Sequence, residues 1–248
     1  MSFDVDADAY DRFMGRYSEP LAMRMLETIT LPPAGRVLDV GAGTGAVTAL
    51  LVRELQPSAV TAVDPSSSFV DALRQRFPEV EVERASAESL PFADGAFELT
   101  IAQLVVNFMS DPVAGLSEMA RVTRPGCTVA ASVWDFAGAR APLSLFWRVA
   151  RQFDEDVIDE SALPGAREGH LLTLFRAAGL RDVSCGQLTV EVPYADPEDW
   201  WRPYTLGVGP AGSYLAGLDV SHREALRRRA VEEMGDVTAT AWFAVGAA

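Results

Sequence analysis

The stretch Asp39-Val40-Gly41-Ala42-Gly43-Thr44-Gly45 carries the residue types and spacing that point most directly to ligand chemistry. Glycines at alternate positions let a chain turn sharply and bring its backbone against a ligand with no Cβ in the way. Gly41-x-Gly43-x-x-Ala46 satisfies the dinucleotide fingerprint G-x-G-x-x-A. Asp64 falls about 20 residues further on, where an acidic residue holds ribose hydroxyls. On the glycines by themselves, two classes of nucleotide-like ligand fit equally well.

Asp39 separates them. A carboxylate two residues before the first glycine would face the pyrophosphate of a dinucleotide and repel it. S-adenosylmethionine instead carries a sulfonium and an ammonium group, which a carboxylate beside the loop attracts, directly or by ordering the amides that hold the ligand. The loop therefore favours the sulfonium cofactor over NAD.

Positioning these groups requires a strand before the loop and a helix after it, and that alternation runs through the chain. Short apolar strands are expected near 36–40, 59–63, 80–84 and 97–102, with helices near 45–55, 67–77 and 111–122. A strand at 128–134 follows Arg124-Pro125-Gly126; further strands are expected at 182–192 and 238–245, and helices at 167–178 and 221–234. The total is seven strands in a Rossmann-like, doubly wound α/β sheet, mostly parallel with the last strand antiparallel, and residues 1–248 form a single domain. Residues 1–30 read as a helical N-terminal cap. Segments 135–165 and 193–220 break the alternation and read as lid insertions over the carboxyl ends of the strands, where such sheets bind ligands.

Composition excludes several alternatives. The formal net charge is −14 and the isoelectric point about 4.5, so the average field repels phosphate backbones and makes nucleic acid a poor partner. All 21 cationic residues are arginine, which removes Schiff-base, pyridoxal-phosphate and Walker A lysines. Cys127 and Cys185 lie in apolar stretches, too few for a disulfide scaffold or zinc cluster, and read as buried reduced thiols. Asp154-Glu155-Asp156 with Asp159 and Glu160 read as hydrated acids, so no metal is assigned; Arg227-Arg228-Arg229 reads as an ion-paired helix face. No apolar run reaches the roughly 18 residues of a membrane span, and no secretory signal opens the chain, so a cytoplasmic location is expected. With no coiled-coil heptads, monomer or homodimer is the default.

Four spaced blocks, VLDVGAGTG at 37–45, AVDPSSSFV at 62–70, ASAESLPFADGAFELTIA at 85–102 and ARVTRPGCTVAAS at 120–132, resemble class I S-adenosylmethionine-dependent methyltransferases of the ubiquinone and menaquinone biosynthesis type, the methyltransferase type 11 domain. That resemblance covers most of the chain. It implies that Asp64 takes the ribose hydroxyls and that Pro65 and Phe69 flank the adenine. It further implies that Ser86-Ala87-Glu88 reads the adenine edge and that Gln103 lies beside the methionine moiety. The family usually has aspartate where Ser86 stands. Tyr10, Arg16 and Tyr17 fall in YDRFMGRYS, which resembles a helical segment folded over the cofactor, with Arg16 placed to pair with the methionine carboxylate.

What the resemblance implies chemically is methyl transfer to an O, N or C atom of a small, fairly apolar molecule, driven mainly by proximity, with S-adenosylhomocysteine as product. Many relatives carry histidines at the positions of Asn107 and Phe108, and this chain has neither. Of His170 and His222, His170, which opens the helix after the first insertion, is the candidate base. Phe108, Trp134, Trp200 and Tyr10, with Trp147, Trp201 and Tyr204, are candidates for an apolar acceptor pocket; for each, core packing is the competing reading. A protein that binds the cofactor without turnover stays open beside the enzyme.

Overall fold

The structure is a computed structural model and describes residues 7–248; the first six residues of the expected N-terminal cap lie outside it. Seven strands, β1 (Val37–Val40), β2 (Val60–Asp64), β3 (Glu81–Arg84), β4 (Phe97–Gln103), β5 (Thr123–Trp134), β6 (Arg181–Glu191) and β7 (Thr238–Ala247), form one sheet in the order 3-2-1-4-5-7-6. Strands β1 to β5 pair in parallel, and β7 runs antiparallel to both β5 and β6. Every residue of β1 and β2 is buried, Asp39, Thr61 and Asp64 included, as expected of parallel strands covered on both faces.

The helices are α1 (Ala7–Tyr10), α2 (Arg16–Leu26), α3 (Ala46–Glu54), α4 (Ser67–Arg76), α5 (Pro112–Val122), α6 (Ser144–Phe153), α7 (His170–Ala177), α8 (Pro197–Trp201), α9 (Gly209–Gly217) and α10 (Val220–Glu233). A π-helical turn, Asp11–Gly15, joins α1 to α2. One core layer combines α2, α3 and both insertions with Val37, Leu99, Ile101, Ala130 and Trp134 of the sheet. The other sets α5 and α7 against Leu38, Val40, Ala102, Val129 and Val133. Alternate strand residues feed alternate layers because strand side chains have a period of two.

Three expectations are corrected. β5 starts at Thr123 rather than 128, because Thr123 pairs with Phe97 before a register shift re-pairs Thr128 with Leu99. The Thr123 hydroxyl is satisfied within that turn by Met119 O (2.7 Å) and the Thr100 hydroxyl (2.6 Å). Cys185 is exposed on β6, which forms the sheet edge, and Cys127 is half-buried near the start of β5. Glu160, read as a hydrated acid, is 4% exposed. The insertions fold into α6, α8 and α9 with short 3-10 turns, and their rings form a cluster in which Phe146 stacks on Tyr204 at 4.8 Å and 7°. Among the described residues no helix is long and apolar enough to cross a membrane.

Candidate functional site

At the carboxyl end of β1 the chain enters the glycine loop, and Gly41, Gly43 and Gly45 have φ of +66°, +57° and +95°. That left-handed backbone costs other residues about 1–2 kcal/mol and is the physical reason for glycine at every second position. The loop is tied down by Gly41 N–H and Ala42 N–H donating to Val63 O at 2.8 and 3.0 Å. A Cβ on Gly43 would meet only Tyr10, at 4.0 Å, and would project into a cavity of about 540 Å³, a size ordinary for a small-ligand site.

The cavity brings together Tyr10, Gly41, Gly43, Asp64, Pro65, Phe69, Ser86, Ala87, Glu88, Gln103 and Phe108 from the sequence-derived candidates. A small contiguous recess adds Asp39 and Ala42. Gly45 stands behind the loop, where it begins α3 and where a Cβ would fall 2.6 Å from Phe77. Asp64, at the end of β2, accepts from Gly43 N–H at 2.9 Å and Ser66 N–H at 2.8 Å. Burial raises its pKa, against those two bonds.

Asp39 is 1% exposed and accepts from the Thr48 hydroxyl at 2.6 Å. Burial pushes it to about 7 despite that bond, with Asp64 adding to the rise. Two acids therefore flank the loop on adjacent strands, an arrangement that suits a ligand bearing positive charge. Tyr10 lies over them, its ring 5.2 Å from Phe69, and desolvation followed by Asp64 and Asp11 pushes its phenol up to about 12. Asp11 accepts from the Thr44 hydroxyl, which fastens the N-terminal segment to the loop.

The opposite wall begins at the Ser86-Ala87-Glu88 turn. The Ser86 hydroxyl donates to Glu88, which also accepts from Ser110 N–H at 2.7 Å. Burial would raise the Glu88 pKa, but these bonds outweigh it and hold the carboxyl below its ordinary value. Glu88 is thus the charged group of this turn. Gln103, at the end of β4, donates to Ser18 O at 2.9 Å while its Oε1 has no partner.

Sequence reasoning missed Leu104, Val105, Met109 and Ser110, which complete this wall. Leu104 has φ +62°, a strained conformation for a branched residue and one that concentrates at ligand sites. Nothing in its local sequence marks it; its N–H donates to Ser132 O at 2.8 Å, where the chain leaves β4.

Other candidates are not brought to the cavity. The Arg16 guanidinium is occupied by Asp199, at 2.7 and 2.8 Å, and stacks over Tyr194 at 5.0 Å. Tyr17 is buried and its hydroxyl accepts from Tyr194 Oη at 2.6 Å. Trp134 and Trp200 are packed in the core at 4% and 2% exposure. His170 accepts from Gly165 N–H through Nδ1 at 3.1 Å, and burial and Arg167 lower its pKa. No residue of either insertion lines the cavity; the second insertion contacts α2 through Asp199 on Arg16 and Tyr194 on Tyr17, and α2 in turn borders the recess through Ser18.

A doubly wound sheet with a glycine loop after β1, an acid ending β2 and a polar turn after β3 defines an α/β protein that holds a nucleoside-bearing cofactor at the carboxyl ends of its strands. A family profile described as a methyltransferase domain matches residues 38–131. Malonyl-[acyl-carrier protein] O-methyltransferase of Halorhodospira halophila is 35% identical over 129 residues, 50% of this chain and 43% of that protein. Demethylmenaquinone methyltransferase of Beutenbergia cavernae is 40% identical over 101 residues, 41% of each. Phosphatidylethanolamine N-methyltransferase of Cereibacter sphaeroides is 31% identical over 151 residues, 58% of this chain and 72% of that one. The crystal structure of a putative methyltransferase from Bacillus halodurans shares the fold, with a TM-score of 0.58 at 17% identity over 91% of this chain and 97% of the other. The chain belongs to the S-adenosylmethionine-dependent methyltransferase family. Its match spans less than half the length of the first two relatives.

Proposed function

We propose that this protein transfers the methyl group of S-adenosylmethionine to an O, N or C atom of a small, fairly apolar molecule. The observation that carries the reading is the convergence of Gly43, Asp64, Glu88 and Gln103 on one 540 Å³ cavity beside Asp39. When bound, the cofactor supplies a methyl group already activated by its sulfonium leaving group. In this reading Gly43 admits the ligand backbone-close and Gly41 lines the cavity; Asp64, with two N–H groups already ordering its oxygens, would take the ribose; Glu88 and Phe69 would take the adenine; Asp39 and Gln103 would face the positively charged end.

The protein's share of catalysis is then placement and exclusion of water, which supply most of the acceleration when the leaving group is already activated. The four sequence blocks and the demethylmenaquinone methyltransferase match favour the ubiquinone and menaquinone branch for the cofactor half. Calorimetry with S-adenosylhomocysteine tests the cofactor assignment: saturable 1:1 binding, weakened by Asp64→Ala, is expected. A folded protein with no heat of binding and no thermal stabilisation at millimolar ligand refutes it. A binding protein without turnover is the second reading, favoured by the separation of His170 from the cavity; sustained methyl transfer to any acceptor overturns it.

A further inference from the structure

Four neighbouring strand ends line the cofactor cavity. In the sheet order β4, β1, β2, β3 they carry Gln103, the glycine loop, Asp64 and Arg84. Adjacent strands lie about 4.8 Å apart, so Arg84 stands on the order of 14 Å along the row from Gln103. It is one strand beyond Asp64, with which it pairs in register.

Arg84 has no part in the site described so far, yet its side chain borders the cavity. It is the sole basic residue among the described residues that line the cavity or its recess. Its Nε donates to Pro65 O at 3.0 Å, which ties the guanidinium to the turn after β2. A guanidinium carries five N–H donors in one plane, and Pro65 O takes one of them. No hydrogen bond or ion pair to a described residue engages the Nη groups. Neighbouring arginines are occupied, Arg36 by Glu81, Arg74 by Val82 O and Arg76 by Thr44 O.

The row of strand ends is therefore polar in charge. Asp39 and the Gln103 amide stand at one end, and a planar cation with unused donors stands at the other. Such a cation repels a sulfonium or ammonium group. It attracts the face of an aromatic ring and donates to ring nitrogens, both of which a purine offers.

We infer that Arg84 is a cofactor-binding residue that holds the adenosine half of S-adenosylmethionine, its guanidinium meeting the purine. The inference rests on the proposed function, which puts the ribose at Asp64. A base lying beyond that ribose reaches the end of the next strand, and that strand is β3. By repelling the sulfonium end, the same cation favours a single orientation of the cofactor along the row.

The test is calorimetric titration of the unaltered protein and of Arg84→Ala with two ligands, S-adenosylhomocysteine and 5′-methylthioadenosine, which share the nucleoside while the second lacks the amino acid. Arg84→Ala is expected to weaken both by about the same factor, roughly tenfold. Amide exchange over residues 66–70 of the ligand-free protein is expected to stay unchanged, because the residue is exposed. Unchanged affinity for both ligands, or a loss confined to S-adenosylhomocysteine, overturns the inference. So does weakening accompanied by faster exchange over 66–70, which would make Arg84 an anchor of that turn rather than a contact of the ligand. If Arg84→Ala does not fold, Arg84→Lys, which keeps the charge without the planar fork, decides: a loss of about threefold or more for both ligands is expected, and unaltered affinities overturn the inference. Failure of the unaltered protein to bind either ligand refutes the proposed function and this inference with it; binding by the unaltered protein that the variants leave unchanged refutes the inference alone.

Discussion

Gly41→Ala is the perturbation that the geometry constrains most tightly. An alanine Cβ would lie 2.5 and 2.7 Å from the two Val105 methyls, at a residue whose φ is +66°. Left-handed backbone costs a non-glycine residue about 1–2 kcal/mol, and forcing a methyl into a filled space costs about 1–3 kcal/mol more. The expected loss is about 3 kcal/mol, or roughly 6–12 °C in Tm for a domain of this size. The assay is urea and thermal unfolding of Gly41→Ala, Val105→Ala and the double variant, without ligand. Val105→Ala removes the obstructing methyls, so the double variant should recover the steric share and keep the φ share, a favourable coupling of about 1–3 kcal/mol. Additivity within about 0.5 kcal/mol, or a single variant as stable as the parent, refutes the claim that this close approach is what requires glycine.

Three further outcomes follow from the site. Asp39 and Glu160 keep their protons to about pH 7 in the folded state, well above unfolded carboxyls; the stability each contributes is fully present below about pH 4, is lost as pH rises towards 7, and stays lost above it. Chemical denaturation across pH 4–8 should therefore show a smaller decline for Asp39→Asn and for Glu160→Gln than for the parent, by on the order of 3 kcal/mol each; parallel profiles would remove the burial argument. Arg16→Ala should cost less than about 1 kcal/mol, as for other exposed pairs, and leave S-adenosylhomocysteine affinity within about threefold, because Asp199 already occupies the guanidinium; a hundredfold loss would restore the carboxylate-pairing role. Glu88→Gln should weaken S-adenosylhomocysteine about tenfold while Ser86→Ala has a smaller effect, and the reverse ranking would show that Ser86 reads the ligand.

The glycine loop and the acid that follows it were legible because their constraints are local. A glycine at every second position from 41 to 45 has one economical explanation, left-handed backbone at each, and the acid ending β2 sits at a fixed chain distance from it. The seven strands follow from apolar runs and turn residues that do not depend on distant contacts, whereas the antiparallel pairing of β7 with β5 and β6 joins segments far apart in the chain. Where sequence reasoning went astray, the deciding partner lay far along the chain. Arg16 is taken by Asp199. Trp134 and Trp200 pack into the core rather than against the cavity, and His170 turns its ring nitrogen to Gly165 N–H.

Glu160 makes the same point in the other direction. In sequence it is one acid in a run with Asp154, Glu155, Asp156 and Asp159, and acidic runs are ordinarily solvated faces. Folding buries it alone among them, at the start of a short 3-10 turn, with Trp147 hydrogen-bonded to it and Tyr204 within electrostatic reach. The amino-acid sequence by itself determined the strands and the glycine loop with the acids beside it, since those are set by backbone conformation and neighbours a few residues apart. Tertiary structure decided which aromatic rings pack together, which arginine is already paired and which carboxyl is desolvated, since burial and ion pairing depend on contacts between segments up to 183 residues apart.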